Sequence, residues 1–332
     1  MSEYQSAGSH RGNTRTLRAA VLLAVAVAVI GLSLFSGSAD LSLTQAFAAL
    51  RGGADEAART ILFELRLPRL LAAFSVGALL ALAGVLLQSL YRNPLADPYV
   101  LGVSGGAAVG AIAALAAGGA VLFVQSAAIV GAFAAVVLVY ALGRGGGTAR
   151  LLLTGVSLAS ACGALVSLFV AAASTERVRG MVFWLAGDLS WTSRPGAAAL
   201  TAVAAVLGAM ILARPLNVLA AGELRARSVG LHFDAWRLIV YVAAAALTAI
   251  AVVGAGMIGF VGLITPHAVR RLFRTHDHRI VAPAAALAGG TLLAAADLIA
   301  RTAASPRQLP VGAITALVGA PAFVLLLRRA RA

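Results

Sequence analysis

The chain has 332 residues, of which 61% are hydrophobic and only 11% charged, whereas soluble domains are about half apolar and a quarter charged. This composition excludes a soluble globular protein, because too few charged side chains remain to cover a water-facing surface. The apolar residues form continuous runs of about 17–23 residues, which span a bilayer as helices, whereas barrel strands would alternate over about 10 residues. The sequence therefore predicts an all-α polytopic membrane protein.

The net charge of +14 arises because all 26 basic residues are arginine and only 12 residues are acidic. Without lysine, the chain cannot form the G-x-x-x-x-G-K-[ST] loop that binds nucleotide phosphates. Any ATP hydrolysis must therefore reside in another subunit. The arginines stand singly at the ends of apolar runs, which disfavours a nucleic-acid-binding face. The single cysteine, Cys162, has no intrachain partner and is predicted to be a small core residue.

The chain divides into a polar tail over residues 1–18, predicted to be disordered and cytosolic, and one membrane domain over residues 19–332. Residues 19–35 could imitate a cleaved signal peptide, but this apolar run is longer than the usual 7–15 residues of such a segment. Short connections at residues 118–120 and at Gly254 predict antiparallel hairpins. The ten predicted spans are residues 19–35, 70–90, 99–117, 121–142, 151–173, 197–213, 238–253, 255–269, 280–299 and 311–327.

The distribution of arginine predicts the orientation in the membrane. With the N-terminus in the cytosol, 17 of the 26 arginines fall on cytosolic segments and nine on external ones. Since cytosolic loops carry the excess of basic residues, we expect both termini in the cytosol. The largest external segments are then residues 36–69 and 174–196. The second contains an apolar piece, residues 182–191, that is too short to span and predicts a re-entrant or interfacial helix.

A turn rich in proline lies between the second and third predicted spans, at residues 93–98. Its plainest interpretation is a tight cytosolic connection in which Asp97 caps the next helix. Gly102, Gly106 and Gly110 follow at intervals of four residues on one helix face. Such a face permits either close packing of another helix or the wall of a permeation path.

A cytosolic loop at residues 216–234 is longer than a turn requires. Its pattern predicts two short helices broken at glycine. Leu224 and Val229 stand among charged residues, which favours docking into the groove of a partner, with a membrane-surface amphipathic helix as the alternative.

Ionisable residues inside the predicted spans are limited to His267 and Asp297, both near span ends, and this scarcity argues against a proton-coupled carrier. The loop at residues 276–278, His-Asp-His, lacks further metal ligands and is predicted to be solvated. No metal or cofactor site is predicted.

Several of these stretches together resemble the permease subunits of type II ABC importers, the FecCD-like family that includes cobalamin, ferric siderophore and haem permeases. The resemblance covers nearly the whole chain. It implies a homodimer of ten-helix subunits in the bacterial inner membrane, with two cytosolic ATP-binding subunits and an external chelate-binding protein. The matching stretches are residues 66–69 (Arg-Leu-Pro-Arg), 93–98 with 101–110, 150–155, 222–231, 259–267, 309–312 and 319–321.

The resemblance also implies roles for individual residues. Docking of the binding protein falls on Arg66, Arg69 and Arg301. The cytoplasmic gates fall on Asn93, Pro94, Leu95, Thr148 and Ala149, and alanine at the last position departs from a serine common in the family. The translocation-path helix carries Gly102, Gly106 and Gly110. Coupling to the ATPase falls on Gly222, Glu223, Leu224, Arg225, Arg227, Val229 and Gly230.

The leading hypothesis is an importer permease for a metal chelate, and it has two alternatives. An ion-coupled secondary transporter built from inverted repeats would need charged groups along its path, which are scarce here. An intramembrane enzyme would need a nucleophile with its base or a metal cluster, and neither is visible in the sequence. Haem, a ferric siderophore and cobalamin all fit as solute, because a weakly binding path leaves discrimination to the binding protein.

Overall fold

A computed structural model describes residues 2–37, 43–53, 56–145 and 147–328, and within these ranges the chain is helical and contains no strand. The helices are α1 (Ser2–Phe35), α2 (Leu43–Leu50), α3 (Glu56–Arg59), α4 (Leu67–Tyr91), α5 (Val103–Ala116), α6 (Val121–Gly143), α7 (Gly147–Ala172), α8 (Thr175–Leu185), α9 (Pro195–Ile211), α10 (Ala213–Ala220), α11 (Glu223–Ser228), α12 (Phe233–Ala255), α13 (Val261–Phe273), α14 (His278–Thr302) and α15 (Val311–Arg328). A π-helical turn, Thr60–Arg66, precedes α4, and short 3-10 helices lie at Pro98–Leu101 and Leu189–Trp191.

Each of the ten predicted spans overlaps one of these helices. By length and composition, six helical stretches of the described chain can cross a membrane alone, and α9 with α10, bent by 68°, makes up to seven. The remaining helices α5, α13 and α15 are shorter than the roughly 20 residues of a full span. The fold is thus the all-α membrane bundle that the sequence predicts, with several incomplete spans.

Helix α4 occupies the centre of the bundle. Proline at its second position fits the first turn of a helix, where no amide hydrogen bond is required, and the helix ends at Arg92, which has a left-handed conformation. Nearly every residue from Leu70 to Leu90 is buried, and α9, α12, α13 and α14 pack around it. A helix that is apolar on all sides is expected at such a central position.

Two helices begin inside the bundle rather than at its surface. After α4, the chain turns back, and Pro98 reaches Gly262, which itself lies against Leu80 near the middle of α4. The non-helical residues 256–260 before α13 meet this returning segment, and the amide of Ile258 donates a hydrogen bond to the Tyr99 hydroxyl. Non-helical backbone is tolerated at such depth only where protein groups satisfy it. Both α5 and α13 are consequently short.

Three local predictions differ from the structure. The break between the seventh and eighth spans lies at residues 256–260 and not at Gly254, because α12 continues to Ala255. Helix α1 continues through residues 2–18, the segment predicted to be a disordered tail. The apolar piece predicted at residues 182–191 is divided between the end of α8 and the 3-10 helix Leu189–Trp191. With 11 residues, α8 is too short to span, as expected.

Glycines bring the backbones of neighbouring helices into contact around α4. A Cβ atom on Gly77 would overlap the carbonyl of Gly289 in α14, and one on Gly84 would overlap the carbonyl of Gly262 in α13. Inside a bilayer, helices associate through such close van der Waals contacts, because hydrocarbon supplies no hydrophobic driving force between them. These crossings therefore fix the positions of α13 and α14.

The crossing at Gly84 can be tested by one methyl group. We expect Gly84→Ala to destabilise the purified protein by about 1–3 kcal/mol, because the added atom forces the α4 and α13 backbones apart. Gly208→Ala in α9 is the matched control, since nothing lies within 4 Å of its Cβ position. The measurement is the thermal unfolding midpoint in detergent. Equal midpoints for the two variants would contradict the assignment.

Candidate functional site

Polar side chains collect at two opposite ends of the bundle. One end carries the arginine cluster, defined as Arg66, Arg69, Asp297 and Arg301. Arg69 Nε lies 2.9 Å from Asp297 Oδ1, and Arg301 Nε lies 2.8 Å from Asp297 Oδ2. The Asp297 side chain is completely buried, so two guanidinium groups neutralise a carboxylate that would otherwise be costly inside the bundle. The carboxylate thereby joins α4 to α14.

The same cluster also holds the end of α1. Arg66 Nη1 donates to the Leu34 carbonyl at 2.9 Å, and Arg301 Nη2 donates to the Ser33 hydroxyl at 2.8 Å. Positive charge at the last carbonyls of a helix is favourable, because the helix dipole is negative there. Three helices that are distant in the sequence thus meet at one charged centre.

The structure brings together the three arginines that were predicted to dock a binding protein, but it does not leave them as a free rim. Arg66 and Arg301 are each only 5% exposed. Arg69 is the most accessible of the three, and its Nη1 donates to Gln308 at 3.0 Å while its Nη2 lies 4.0 Å from Asp188. Asp188 thus adds a second carboxylate near Arg69, beside the Asp297 carboxylate that Arg69 shares with Arg301.

Sequence reasoning missed the residues that organise this cluster. Asp297 was noticed only as a rare intramembrane acid, although its spacing of four residues from Arg301 on one helix is a readable signal for pairing. Asp188 and Gln308 lie in loops far from Arg69 in the sequence, and no local pattern connects them to it.

The predicted gate at Asn93, Pro94 and Leu95 lies directly after α4, at the end of the bundle opposite the arginine cluster. The Asn93 side chain accepts a hydrogen bond from the Leu95 amide at 2.9 Å, which closes the turn. Leu95 is 47% exposed. Asp97 accepts from the Tyr99 amide at 2.8 Å and caps the following 3-10 helix, as predicted. From there the chain enters the bundle instead of lying on its surface.

The second predicted gate, at Thr148 and Ala149, lies in the first turn of α7. Ala149 is exposed. The Thr148 side chain lies outside the described part of the chain. The prediction of a gate at these residues rests on the resemblance alone.

The glycines predicted to lie on a translocation-path helix contact neighbouring helices of the same subunit. A Cβ atom on Gly106 would overlap the carbonyl of Gly131 in α6, and one on Gly110 would overlap that of Ala127 in the same helix. Gly102 has a positive φ of 75° and faces α6 and α7. The spacing of four residues thus marks a face that packs within the subunit, and a translocation path along this helix stays a prediction.

The coupling segment, defined as α10 and α11, lies at the end of the bundle that carries the turn at Asn93. It consists of two short helices broken at a glycine, as predicted. Gly222 joins them with a φ of 105°, and a Cβ there would collide with the Arg92 guanidinium. Glycine is therefore required both by its conformation and by the close approach of another side chain.

Helix α11 presents its apolar residues outward. Leu224 is 89% exposed and Val229 is 62% exposed. Arg227 binds Glu223 at 2.9 Å and Asp234 at 3.0 Å, which orients the helix against the start of α12. The neighbouring predicted residues Arg225 and Gly230 are exposed as well. Exposed leucine and valine among charged side chains form a surface suited to a protein partner.

A bundle of long apolar helices with a charged cluster at one end and an exposed pair of short helices at the other defines a multi-pass membrane protein. The chain belongs to the FecCD transport family, whose model matches residues 22–329. It is 45% identical over 294 residues to the cobalamin import system permease protein BtuC of Halobacterium salinarum, covering 86% of this chain and 79% of that protein. It is 40% identical over 275 residues to the vitamin B12 import system permease protein BtuC of Klebsiella pneumoniae, covering 81% and 83%.

The fold agrees with that of a solved transporter. An inward-facing metal-chelate type ABC transporter superposes with a TM-score of 0.83 and 31% sequence identity, covering 93% of this chain and 97% of that chain. The relatives are permeases and not enzymes. The chain is accordingly a transport permease of the type II ABC importer fold, embedded in the membrane by several helices.

The arginine cluster yields a prediction about stability. We expect Asp297→Asn to lower the free energy of unfolding by about 3–5 kcal/mol, because it leaves Arg69 and Arg301 without their buried counter-ion. Asp234→Asn is the control, since that carboxylate is 63% exposed and its loss should cost no more than about 1 kcal/mol. Denaturation in detergent measures both variants. A loss at Asp297 no larger than that at Asp234 would show that the cluster is not a structural centre.

Proposed function

We propose that this chain is the permease subunit of an ATP-driven importer that moves a metal chelate or cobalamin from an external binding protein into the cytoplasm. The observation that carries the proposal is α11, whose exposed Leu224 and Val229 sit among charged residues on a segment fixed to the bundle. Since the chain has no lysine and no nucleotide-binding loop of the usual form, the energy must come from a partner that grips such a segment.

The proposed assembly contains two copies of this chain, two cytosolic ATP-binding subunits and one external binding protein. A solute of chelate size needs a wide and weakly binding path, and a homodimer axis lined by small apolar residues would supply it. Both termini and the coupling segment are placed in the cytosol, in line with the excess of arginine on that side. The arginine cluster then faces the outside.

The arginine cluster is the proposed docking site of the binding protein. Basic side chains at a surface favour an acidic partner, and Arg69 is the side chain best placed to meet one, since it is the least buried of the three arginines. In this proposal Arg66 and Arg301 do not contact the binding protein. Arg301 holds Asp297, and both arginines hold the end of α1.

The solute class rests on the relatives. Two similar permeases carry cobalamin or vitamin B12 in their names, and the similar solved structure is of a metal-chelate type transporter. Cobalamin is itself a cobalt chelate, so all three point to a large polar metal complex. Within that class, ferric siderophores and haem are alternative cargoes that the binding protein would select.

An ion-coupled secondary transporter is the competing function, and the environment of Asp297 argues against it. Such carriers need an ionisable group that can load and release its ion. Asp297 is held by two guanidinium groups at 2.8 and 2.9 Å, so both of its carboxylate oxygens are engaged by arginine rather than open to a transported ion.

The proposed role of α11 can be tested by replacing its most exposed apolar residue. We expect Leu224→Asp to abolish co-purification of the ATP-binding subunits, because docking would bury a carboxylate in an apolar groove at a cost of several kcal/mol. Leu122→Asp is the control, since Leu122 is 71% exposed but lies at the opposite end of the bundle. Normal co-purification and transport by Leu224→Asp would refute the coupling role.

The proposed cytoplasmic gate predicts a crosslink across the dimer axis. In a Cys162→Ser background, Leu95→Cys should form an intersubunit disulfide when the gate is closed, which requires Cα atoms within about 7 Å. Because a gate is a two-state element biased by nucleotide, the yield should differ between ATP-bound and nucleotide-free complexes. A crosslinking yield that is the same in both states, or zero in both, would refute the gate and show that residues 93–98 are only a structural turn.

A further inference from the structure

A polar layer joins the coupling segment to the transmembrane helices, and two of its four side chains are buried. It comprises Ser89 in α4, Asn217 in α10, and Asp277 with His278 at the start of α14. His278 is 2% exposed and Ser89 is 4% exposed. The prediction of a solvated loop at residues 276–278 is therefore wrong for His278, which α10 and α4 cover, whereas His276 is exposed and Asp277 is half-buried.

Asn217 makes the central contacts of the layer. Its Oδ1 accepts from the His278 amide at 3.0 Å and lies 2.5 Å from the ring atom Nδ1, and its Nδ2 donates to Asp277 Oδ1 at 2.8 Å. The ring atom Nε2 of His278 lies 2.7 Å from the Ser89 hydroxyl. The Ser89 hydroxyl also donates to the Val85 carbonyl at 2.7 Å, so this hydroxyl and both ring nitrogens of His278 have partners inside the layer.

Asp277 is a strong acceptor for this joint. Hydrogen bonds from the Asn217 side chain and from the Arg279 amide keep the pKa of Asp277 below its ordinary value. The same carboxylate caps the first turn of α14, where negative charge is favourable to the helix dipole. The hydrogen bond from Asn217 in α10 is therefore made to the N-terminal cap of α14.

These contacts make α10 and the end of α14 a single mechanical unit. Leu216 and Leu219, on either side of Asn217, are 2% and 1% exposed, so α10 is held by packing as well. Sliding α10 along α14 would leave several buried polar groups without partners, each at a cost of roughly 1–3 kcal/mol. Because α10 leads into α11 through Ala221 and Gly222 alone, a displacement of α11 is passed directly to this unit.

Helix α14 connects the joint to the opposite end of the bundle. It runs for 25 residues from His278 to Thr302. Its last turns carry Asp297 and Arg301, which bind Arg69 and the end of α1. One continuous helix thus has a polar joint at each end, with the coupling segment bonded to the first and the arginine cluster formed around the second.

We propose that Asn217 is a positioning residue that transmits movement of the coupling segment to α14, and that α14 delivers this movement to the arginine cluster. The inference rests on the proposed function, in which an ATP-binding subunit moves α11. Asn217 touches neither solute nor nucleotide in this account. Its role is to keep α10 and α14 together when α11 is displaced, so that the two ends of the subunit respond as one.

The test measures movement at the far end of α14, in the assembled complex of full-length chains. In a Cys162→Ser background, Ile299→Cys in α14 is spin-labelled, since Ile299 is 44% exposed. The distance between the labels of the two subunits is measured without nucleotide and with ATP and vanadate. We expect a nucleotide-dependent shift with Asn217 and its loss in Asn217→Ala, while ATP-binding subunits still co-purify and hydrolyse ATP.

Three further variants separate transmission from folding. Thr291→Val removes another buried side-chain hydrogen bond of α14, from its hydroxyl to the Leu287 carbonyl at 2.7 Å, and should keep the shift. Asp277→Asn preserves an acceptor for Asn217 and should keep it too. If Asn217→Ala does not assemble, Asn217→Asp tests the same joint, because its carboxylate retains the contact with the His278 amide but repels Asp277, and the shift should again be lost.

The outcomes distinguish this inference from the proposed function. If the parent chain binds no ATP-binding subunit, the proposed function fails and the inference with it. If the complex forms and hydrolyses ATP but its labels do not move, or if Asn217→Ala moves them fully, only the transmission through Asn217 is overturned.

Discussion

The structure depends on how closely α4 is approached by its neighbours. Inside the bilayer the hydrophobic effect does not drive helices together. The helices associate through van der Waals contacts, which are closest where small residues let two backbones approach. Nearly every residue of α4 from Leu70 to Leu90 is buried, and its crossings at Gly77 and Gly84 set α14 and α13 in place. The same crossing admits the returning segment at Pro98, which makes α5 and α13 begin inside the bundle. Both polar centres sit on helices that these contacts position.

Around this core, charge is confined to places where it is matched. At one end a completely buried carboxylate, Asp297, holds two arginines, and at the other Asn217 satisfies His278 and Asp277. Paired polar groups in an apolar bundle specify one arrangement of the helices that carry them, since any other arrangement leaves them unsatisfied. In the proposed transport cycle these joints keep the subunit rigid, so that energy supplied at α11 moves helices as bodies and is not lost in local distortion.

Composition and periodicity predicted the membrane class, the ten helices and the paired short helices of the coupling segment, because these are local properties of the chain. They misplaced the break between α12 and α13. The non-helical residues 256–260 are stabilised by a contact with Tyr99, which is distant in the sequence. The arginines were predicted correctly as a group but not as a buried one, because Asp297 lies 228 residues from Arg69 along the chain. The glycines of α5 carried an ambiguous signal, and only the position of α6 decides for packing. Asn217 gave no sequence signal at all.

The central claim is that this chain translocates its solute only when ATP-binding partners drive it. The most direct measurement is uptake of labelled vitamin B12, a ferric siderophore and haem into proteoliposomes that contain the permease, with and without its ATP-binding subunits, and with the binding protein outside. The account predicts uptake of one of these complexes that requires ATP and both partners and is stopped by vanadate. Uptake that persists without the ATP-binding subunits and follows an imposed proton or sodium gradient would contradict it.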